Sequence, residues 1–298
     1  MLPDPERRVR RRILVAGAVL VAVGTAPGRS AARTEPPSAV QVRSIEIAAV
    51  GDMTFGRTGF MPAGGARAIL GAVSRRLRSD LTVGNLETTL GSGGAPKCLA
   101  RSTTCYSFEA PADTAAALRH VGFTAVKRVR RAARRADLVV VFIHAGAEGN
   151  DRQHVRPGME TYLGERRGDP IRFSHAVVDA GADVVLGSGP HVLRAMEWYR
   201  GRLIAYSLGN FTAYHTLAID GISGVSAILR LRLSADGSFV GGRLVPIRLT
   251  GSGSPSADPS RTAIGIVNAL SRSDFPVRGL HIDRHGVLRT PRGASAGK

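Results

Sequence analysis

The chain has 298 residues, 43% of them apolar, which is enough to bury a substantial core in one large domain or two modest ones. Its formal charge is +18, yet of 41 basic residues only Lys97, Lys127 and Lys298 are lysines. An arginine-rich, lysine-poor chain without zinc-finger spacing or aromatic RNA-binding strands gives no case for a nucleic-acid partner, and it leaves a polyanion open as one.

Arg7, Arg8, Arg10, Arg11 and Arg12 precede the apolar run Ile13 to Ala26, which is too short for a comfortable membrane span and has the length of a signal-peptide core. Ser30 and Ala32 fit a small-residue cleavage site, so residues 1–32 read as a signal peptide or a retained N-terminal anchor. "RRRILV" also resembles a weak twin-arginine signal. The expected location is extracellular or at the cell envelope. Outside the cytoplasm, Cys98 and Cys105, set in a Gly/Pro-rich stretch, are expected to close a short loop as a disulfide.

Residues 33–43 read as a linker. "SIEIAAVGDMTFGR" predicts a buried strand over Ile45 to Val50 that ends in a Gly-Asp turn, followed by a helix from Ala66 to Arg78. "DLTVGNLETTL" is a second apolar strand ending on an acid-bearing turn, and "ADTAAALRHVGFTAV" reads as helix then strand. "KRVRRAARRAD" predicts a basic helix, with Arg128, Arg130, Arg131, Arg134 and Arg135, leading into the β-branched run "LVVVFIHAGAE". "PIRFSHAVVDAGADVVLGSGPH" repeats the helix-strand-turn unit, and this alternation predicts an α/β core.

Beyond it, "RLIAYSLGNF", "GVSAILRLRLSADGSFVGGRLVPIRL" and "GLHIDRHGVLRT" read as antiparallel strands of a second sheet. "TGSGSPSADPS" reads as a loop, residues 251–289 as a C-terminal extension of a domain over 44–250, and 290–298 as a disordered tail.

Four strand-then-turn units end in metal-capable side chains: Asp52, Glu87, His144 and His191. Strand ends in such folds converge on one edge, where ligands bind. Two carboxylates and two imidazoles there suit a divalent Mn, Zn or Fe, which lowers the pKa of a bound water and polarises a phosphoryl or acyl oxygen. Taken singly, each residue has a plainer reading: Asp52 as a cap, Glu87 as a cap or an arginine partner, each histidine as a turn residue. The repeated placement favours the site.

The stretches "AAVGDMTFGR", "LTVGNLETTL", "VVVFIHAGAE" and "GADVVLGSGPHVLRAMEWYRGRLIAYSLGNF" resemble the bacterial CapA family of capsule and poly-γ-glutamate synthesis proteins, from about Ile45 to about Leu249. The resemblance implies a calcineurin-like metallophosphoesterase fold, a two-sheet α/β sandwich flanked by helices. It implies Asp52, Glu87, His144 and His191 as metal ligands and catalytic groups. Glu148 matches the acid of the family's His-x-Gly-x-Glu motif, and Asn210 the amide of Ser-Leu-Gly-Asn-Phe. Asn85 and Ser188 complete the candidates. The implied partners are an anionic polymer such as poly-γ-glutamate and membrane-bound capsule-synthesis proteins.

Two departures bear on mechanism. Ser188 stands where many relatives have histidine, and the family's Asn-Asn-His region is missing between "GFTAV" and "KRVRRAARRAD", so the core is expected to be partly truncated. Losing a general acid alone costs about 10²–10⁴-fold in rate. The competing function is therefore a non-catalytic, polyanion-binding scaffold of the cell envelope, carried by the arginine run.

Overall fold

A computed structural model describes residues 19–21, 44–55, 61–90, 109–111, 113–120 and 138–290. In chain order the strands are β1 (Val19–Val21), β2 (Ser44–Thr54), β3 (Leu81–Leu86), β4 (Thr89–Leu90), β5 (Glu109–Ala110), β6 (Val140–His144), β7 (Glu160–Tyr162), β8 (Glu165–Gly168) and β9 (Val184–Ser188). There follow β10 (Met196–Tyr199), β11 (Arg202–Ala205), β12 (Asn210–Ala213), β13 (Val225–Ser234), β14 (Phe239–Thr250), β15 (Ser254–Ala257), β16 (His281–Ile282) and β17 (Leu288–Arg289). The α-helices are α1 (Gly65–Leu70), α2 (Ser74–Leu77), α3 (Thr114–His120), α4 (Pro170–Asp179) and α5 (Thr262–Asp274).

Two sheets carry the fold. One runs β1-β6-β9-β11-β10, with β6, β9 and β11 parallel; the other runs β12-β2-β13-β14-β15, with β3 also pairing β2 in parallel. The alternation in the sequence explains how they stack. Ile45, Ile47 and Ala49 of β2 share one apolar cluster with Val140 and Phe142 of β6 and Val184 and Leu186 of β9, which is the layer between the sheets.

The opposite faces are covered by helices. Ala48 and Val50 pack with Ile69 and Leu70 of α1, while Val139, Val141 and Val185 pack with Val178 of α4 and Leu270 of α5. The chain is thus a mixed α/β sandwich of two sheets flanked by helices, consistent with the fold that the family resemblance implies. No helix among the described residues is long and apolar enough to cross a membrane.

Several local expectations change. The helix foreseen over 66–78 is broken at Gly71 by a single 3-10 turn, Gly71–Val73, consistent with the low helix propensity of glycine. β2 does not end at Val50 but continues to Thr54, so Asp52 lies within a strand and not in a turn. "RLIAYSLGNF" is not one strand: β11 belongs to one sheet and β12 to the other, and Tyr206 to Gly209 carry the chain between them.

"TGSGSPSADPS" is not wholly loop, because β15 pairs with β14 at a sheet edge, the position in a sheet that tolerates Pro255. Residues 251–289 contribute this strand and also Ala263, Ile264 and Val267 to the layer between the sheets. Within the expected leader only Val19–Val21 is described, antiparallel to β6. Cys98, Cys105, the 127–136 basic run and the tail from 291 on lie outside the described residues.

Candidate metal centre

Register builds the site before any side chain is considered. Asp52 of β2 faces Asn85 on β3 and Asn210 on β12, so an amide stands on each side of one carboxylate. In the facing sheet, His144 of β6 pairs in register with Ser188 of β9. These strand ends meet at one edge of the sandwich.

Two glycines permit the approach. A Cβ on Gly51 would lie 1.8 Å from the Gly209 carbonyl oxygen, so only glycine lets β2 close on this crossover, where the Asp52 N–H donates to Gly209 at 2.9 Å. Gly189 has φ 115°, and the Gly189-Pro190 corner turns the chain so that His191 faces back over the edge with φ 61°.

Asp52 is fully buried. Its Oδ1 accepts from Asn85 Nδ2 at 2.9 Å and its Oδ2 from the Gly189 N–H at 3.0 Å. Burial pushes this carboxyl up, but the adjoining His144 and His191 imidazoles and the Gly189 N–H outweigh it and hold the pKa at about 2. Glu87 goes the other way: burial, then the negative charges of Asp52 and Glu148, push it up to about 8.

The histidines differ in role. Asn85 Nδ2 lies 2.9 Å from His144 Nδ1 as well as from Asp52. A carboxylate only accepts, so the amide nitrogen faces it and donates its second hydrogen to His144 Nδ1. The proton of neutral His144 therefore sits on Nε2, 3.0 Å from Glu87 Oε1.

His191 is oriented from the other side. Asn210 Nδ2 donates to the Ser223 carbonyl at 3.5 Å, leaving Oδ1 to accept from His191 Nδ1 at 2.8 Å. Nε2 then points at Glu87 and Glu148, each 3.7 Å away. Burial lowers the pKa of His191, but Asp52, Glu87 and Glu148 together raise it.

The ligand atoms of Asp52, Glu87 and His191 all lie within 4.8 Å of one another. His144 stands against this triad and not in it, with both ring nitrogens engaged inside the cluster. Ser188 is buried, with Oγ 3.3 Å from His144 Nδ1. Two carboxylates and an imidazole fit a divalent cation chemically, and the negative crowding that raises Glu87 is what a cation would offset.

Sequence reasoning missed three contributors: the Gly189 N–H, Arg167 of β8, which pairs with Glu148, and buried Arg194, which ties the loop after β6 to Glu160. No local spacing marks either arginine, since their partners lie 19 and 34 residues away.

Comparison with known proteins finds matches to part of the chain. Residues 125–215 match the family described as bacterial capsule synthesis protein PGA_cap. The PGA biosynthesis protein CapA of Bacillus subtilis (strain 168) is 38% identical over 90 residues, 29% of this chain and 19% of that protein. The capsule biosynthesis protein CapA of Bacillus anthracis is 41% identical over 76 residues, 26% of this chain and 15% of that protein. The matched stretch thus spans less than a fifth of either relative.

A crystal structure of a hypothetical protein from Thermus thermophilus aligns over 68% of this chain and 98% of its own, with TM-score 0.34 and 12% identity. The likeness to the CapA family is shown over the matched residues, which hold two of the four motifs, "VVVFIHAGAE" and "GADVVLGSGPHVLRAMEWYRGRLIAYSLGNF".

Proposed function

We propose that this chain is an exported, CapA-like protein of capsule or poly-γ-glutamate biosynthesis, working at the cell envelope beside membrane-bound synthesis proteins. Its strand-edge cluster serves as a metal-dependent hydrolase site acting on an anionic polymer. The observation that carries the reading is the convergence of Asp52, Glu87 and His191 on one point, with an amide in register on each side of Asp52. The sequence relatives named for capsule and PGA biosynthesis support the biological setting.

Asp52, Glu87 and His191 would hold the cation, Mn, Zn or Fe, which when bound supplies electrophilic activation of a phosphoryl or acyl oxygen and of water. The chain's own residues do the rest. Asn85 and the Gly189 N–H fix both oxygens of Asp52, and Asn210 presents the Nε2 lone pair of His191. His144 holds a proton on Nε2 against Glu87, the best-placed proton carrier among the described residues.

The non-catalytic scaffold reading rests on the arginine run at 128–135, outside the described residues. Crowded carboxylates at a strand edge favour the hydrolase. The test is size-exclusion analysis of poly-γ-glutamate incubated with the chain and Mn(II), Zn(II) or Fe(II). Shortening that vanishes in Asp52→Asn is expected; a polymer of unchanged length with all three metals would contradict catalysis.

A further inference from the structure

Beside the carboxylate cluster lies a cavity of about 400 Å³, lined by Arg152, His154, Arg156, Met159, Glu160 and Arg194 together with Asp151, Thr161 and the backbone of Ala147. Ala147 lines the cavity and the next residue, Glu148, lies 3.7 Å from His191, so the loop leaving β6 contributes to both. Of the cavity's charged side chains, only Arg194 and Glu160 bear on the candidate metal centre, by tying down the loop that carries Glu148.

The loop is anchored from below. Arg194 has a side chain only 1% exposed, and it grips Glu160 through two parallel contacts of 2.9 and 2.8 Å. Its Nε donates to the Arg152 carbonyl at 2.7 Å and its Nη2 to the Ala147 carbonyl at 3.2 Å, while the Ala147 N–H donates to Glu160 at 2.7 Å. The backbone of the loop is thus held inward and satisfied, and the guanidiniums of Arg152 and Arg156 stand at the rim with 51% and 64% of their side chains exposed.

These rim arginines are weakly committed. Arg152 pairs with its neighbour Asp151 at 3.0 Å, where that carboxylate is itself 71% exposed, a kind of pair that contributes little to stability. Arg156 reaches Asp274 Oδ1 at 3.7 Å, but His154 already holds the same oxygen at 2.6 Å and the Val155 N–H holds Oδ2 at 2.9 Å. A guanidinium has five N–H donors, so among the described residues both retain unused ones. With Arg194 and Glu160 matched, two positive side chains and one exposed acid remain, with His154 beside them.

We propose that this cavity is a polymer-binding subsite, where Arg152 and Arg156 hold carboxylates of an anionic chain whose neighbouring unit lies at the metal cluster. The proposal rests on the reading above that the cluster acts on such a chain. The space exceeds that needed by one inorganic anion, and half-exposed Met159 offers an apolar surface for the methylenes that separate carboxylates in a glutamate polymer.

The test is fluorescence anisotropy of a labelled γ-linked oligoglutamate with the full chain in chelator, so that binding is read without metal. Arg152→Ala/Arg156→Ala should weaken binding about tenfold, whereas Arg75→Ala/Arg232→Ala, equal in charge change and exposed elsewhere, should change it less than about twofold. Asp52→Asn/His191→Ala should retain binding. Wild-type binding should fall with added salt, and inorganic phosphate should compete only weakly.

Equal loss in both arginine pairs would reduce the effect to net charge and overturn the subsite. Phosphate competing as well as oligoglutamate would make it a simple anion site and overturn it too. Loss in the cluster variant alone would overturn the subsite while leaving the hydrolase reading standing. Normal binding by a chain that shortens no polymer would support the subsite and remove the hydrolase. Far-UV circular dichroism and a thermal melt confirm that the arginine variant is folded; should it be destabilised, Arg156→Gln alone replaces it, with a smaller loss of the same sign expected and no loss contradicting the proposal.

Discussion

At the strand edge, Asp52 and Glu87 face His144 and His191; under α4, on the outer face of the other sheet, Glu197 faces His175, Tyr206 and Arg278. Both places bury carboxylate and imidazole together. Glu197 has no side-chain exposure and takes His175 Nε2 at 3.0 and 3.2 Å, the Tyr206 hydroxyl at 2.7 Å and Arg278 Nε at 2.8 Å. One carboxylate thus has three donors, and His175 is further fixed by stacking on Tyr199 at 3.8 Å. Burial and then the charge of Glu197 push the Tyr206 hydroxyl pKa up, which keeps it a proton donor.

The strand edge is built otherwise. Two carboxylates crowd each other there with a third, Glu148, behind them, and no arginine enters the triad. A lone buried carboxylate with matched donors is structural, whereas a crowded pair in which one member, Glu87, is pushed up in pKa calls for a cation. The same residue types therefore do different work according to how their charges balance.

The largest expected effect separates the two clusters. Glu197→Ala strips the shared acceptor from the buried Tyr206 hydroxyl, part-buried His175 and exposed Arg278, so it should cost on the order of 3 kcal/mol in chemical denaturation while the folded fraction keeps its metal content. Asp52→Asn should do the reverse, losing metal while staying folded. If Glu197→Ala lost metal with little loss of stability, the contrast would fail.

The next effect is a pH dependence. Glu87 ionises near 4.5 in the unfolded chain and near 8 in the folded one, so the folded chain holds the extra proton between those values. Metal-free stability contributed by Glu87 should then be complete below about pH 4.5 and decline as pH rises through about 8. Glu87→Gln cannot ionise, and in chemical denaturation at pH 8 it should be more stable than metal-free wild type by on the order of a few kcal/mol, with no such gain at pH 4. Equal gains at both pH values would contradict the crowding.

Smaller effects test how the amides orient the ligands. Asn210→Ala removes the acceptor that sets the His191 tautomer, and metal affinity should fall about 10–100-fold in a competitive chelator titration. Ser188→Ala, whose contact to His144 is a long 3.3 Å, should change affinity less than about threefold. A larger loss in Ser188→Ala than in Asn210→Ala would reverse the assignment.

Much of this arrangement was legible in the sequence, because strands buried on both faces read as unbroken β-branched runs and their polar ends stand out. Asp52, Glu87, His144 and His191 were all found that way, and the structure brings them to one edge. What periodicity cannot carry is pairing across the chain. That His144 supports Glu87, outside the triad, follows from Asn85 in register with Asp52, and register between strands 33 residues apart leaves no local signature. The sheet switch at Tyr206 to Gly209 was hidden because its apolar residues continue the strand pattern on either side.

The rim arginines and the Arg194–Glu160 clamp were equally silent, one arginine looking like another in a chain with so many. Burial alone tells them apart: Arg194 is enclosed and matched, Arg156 exposed and loosely held.

The most direct measurement is elemental analysis of the purified chain after dialysis, beside Asp52→Asn/His191→Ala and Glu197→Ala. Near-stoichiometric Mn, Zn or Fe in wild type and in the folded fraction of Glu197→Ala, absent from the double variant, is the predicted result. A folded wild type without metal, or a double variant that keeps it, would contradict the assignment of the strand edge as a metal centre.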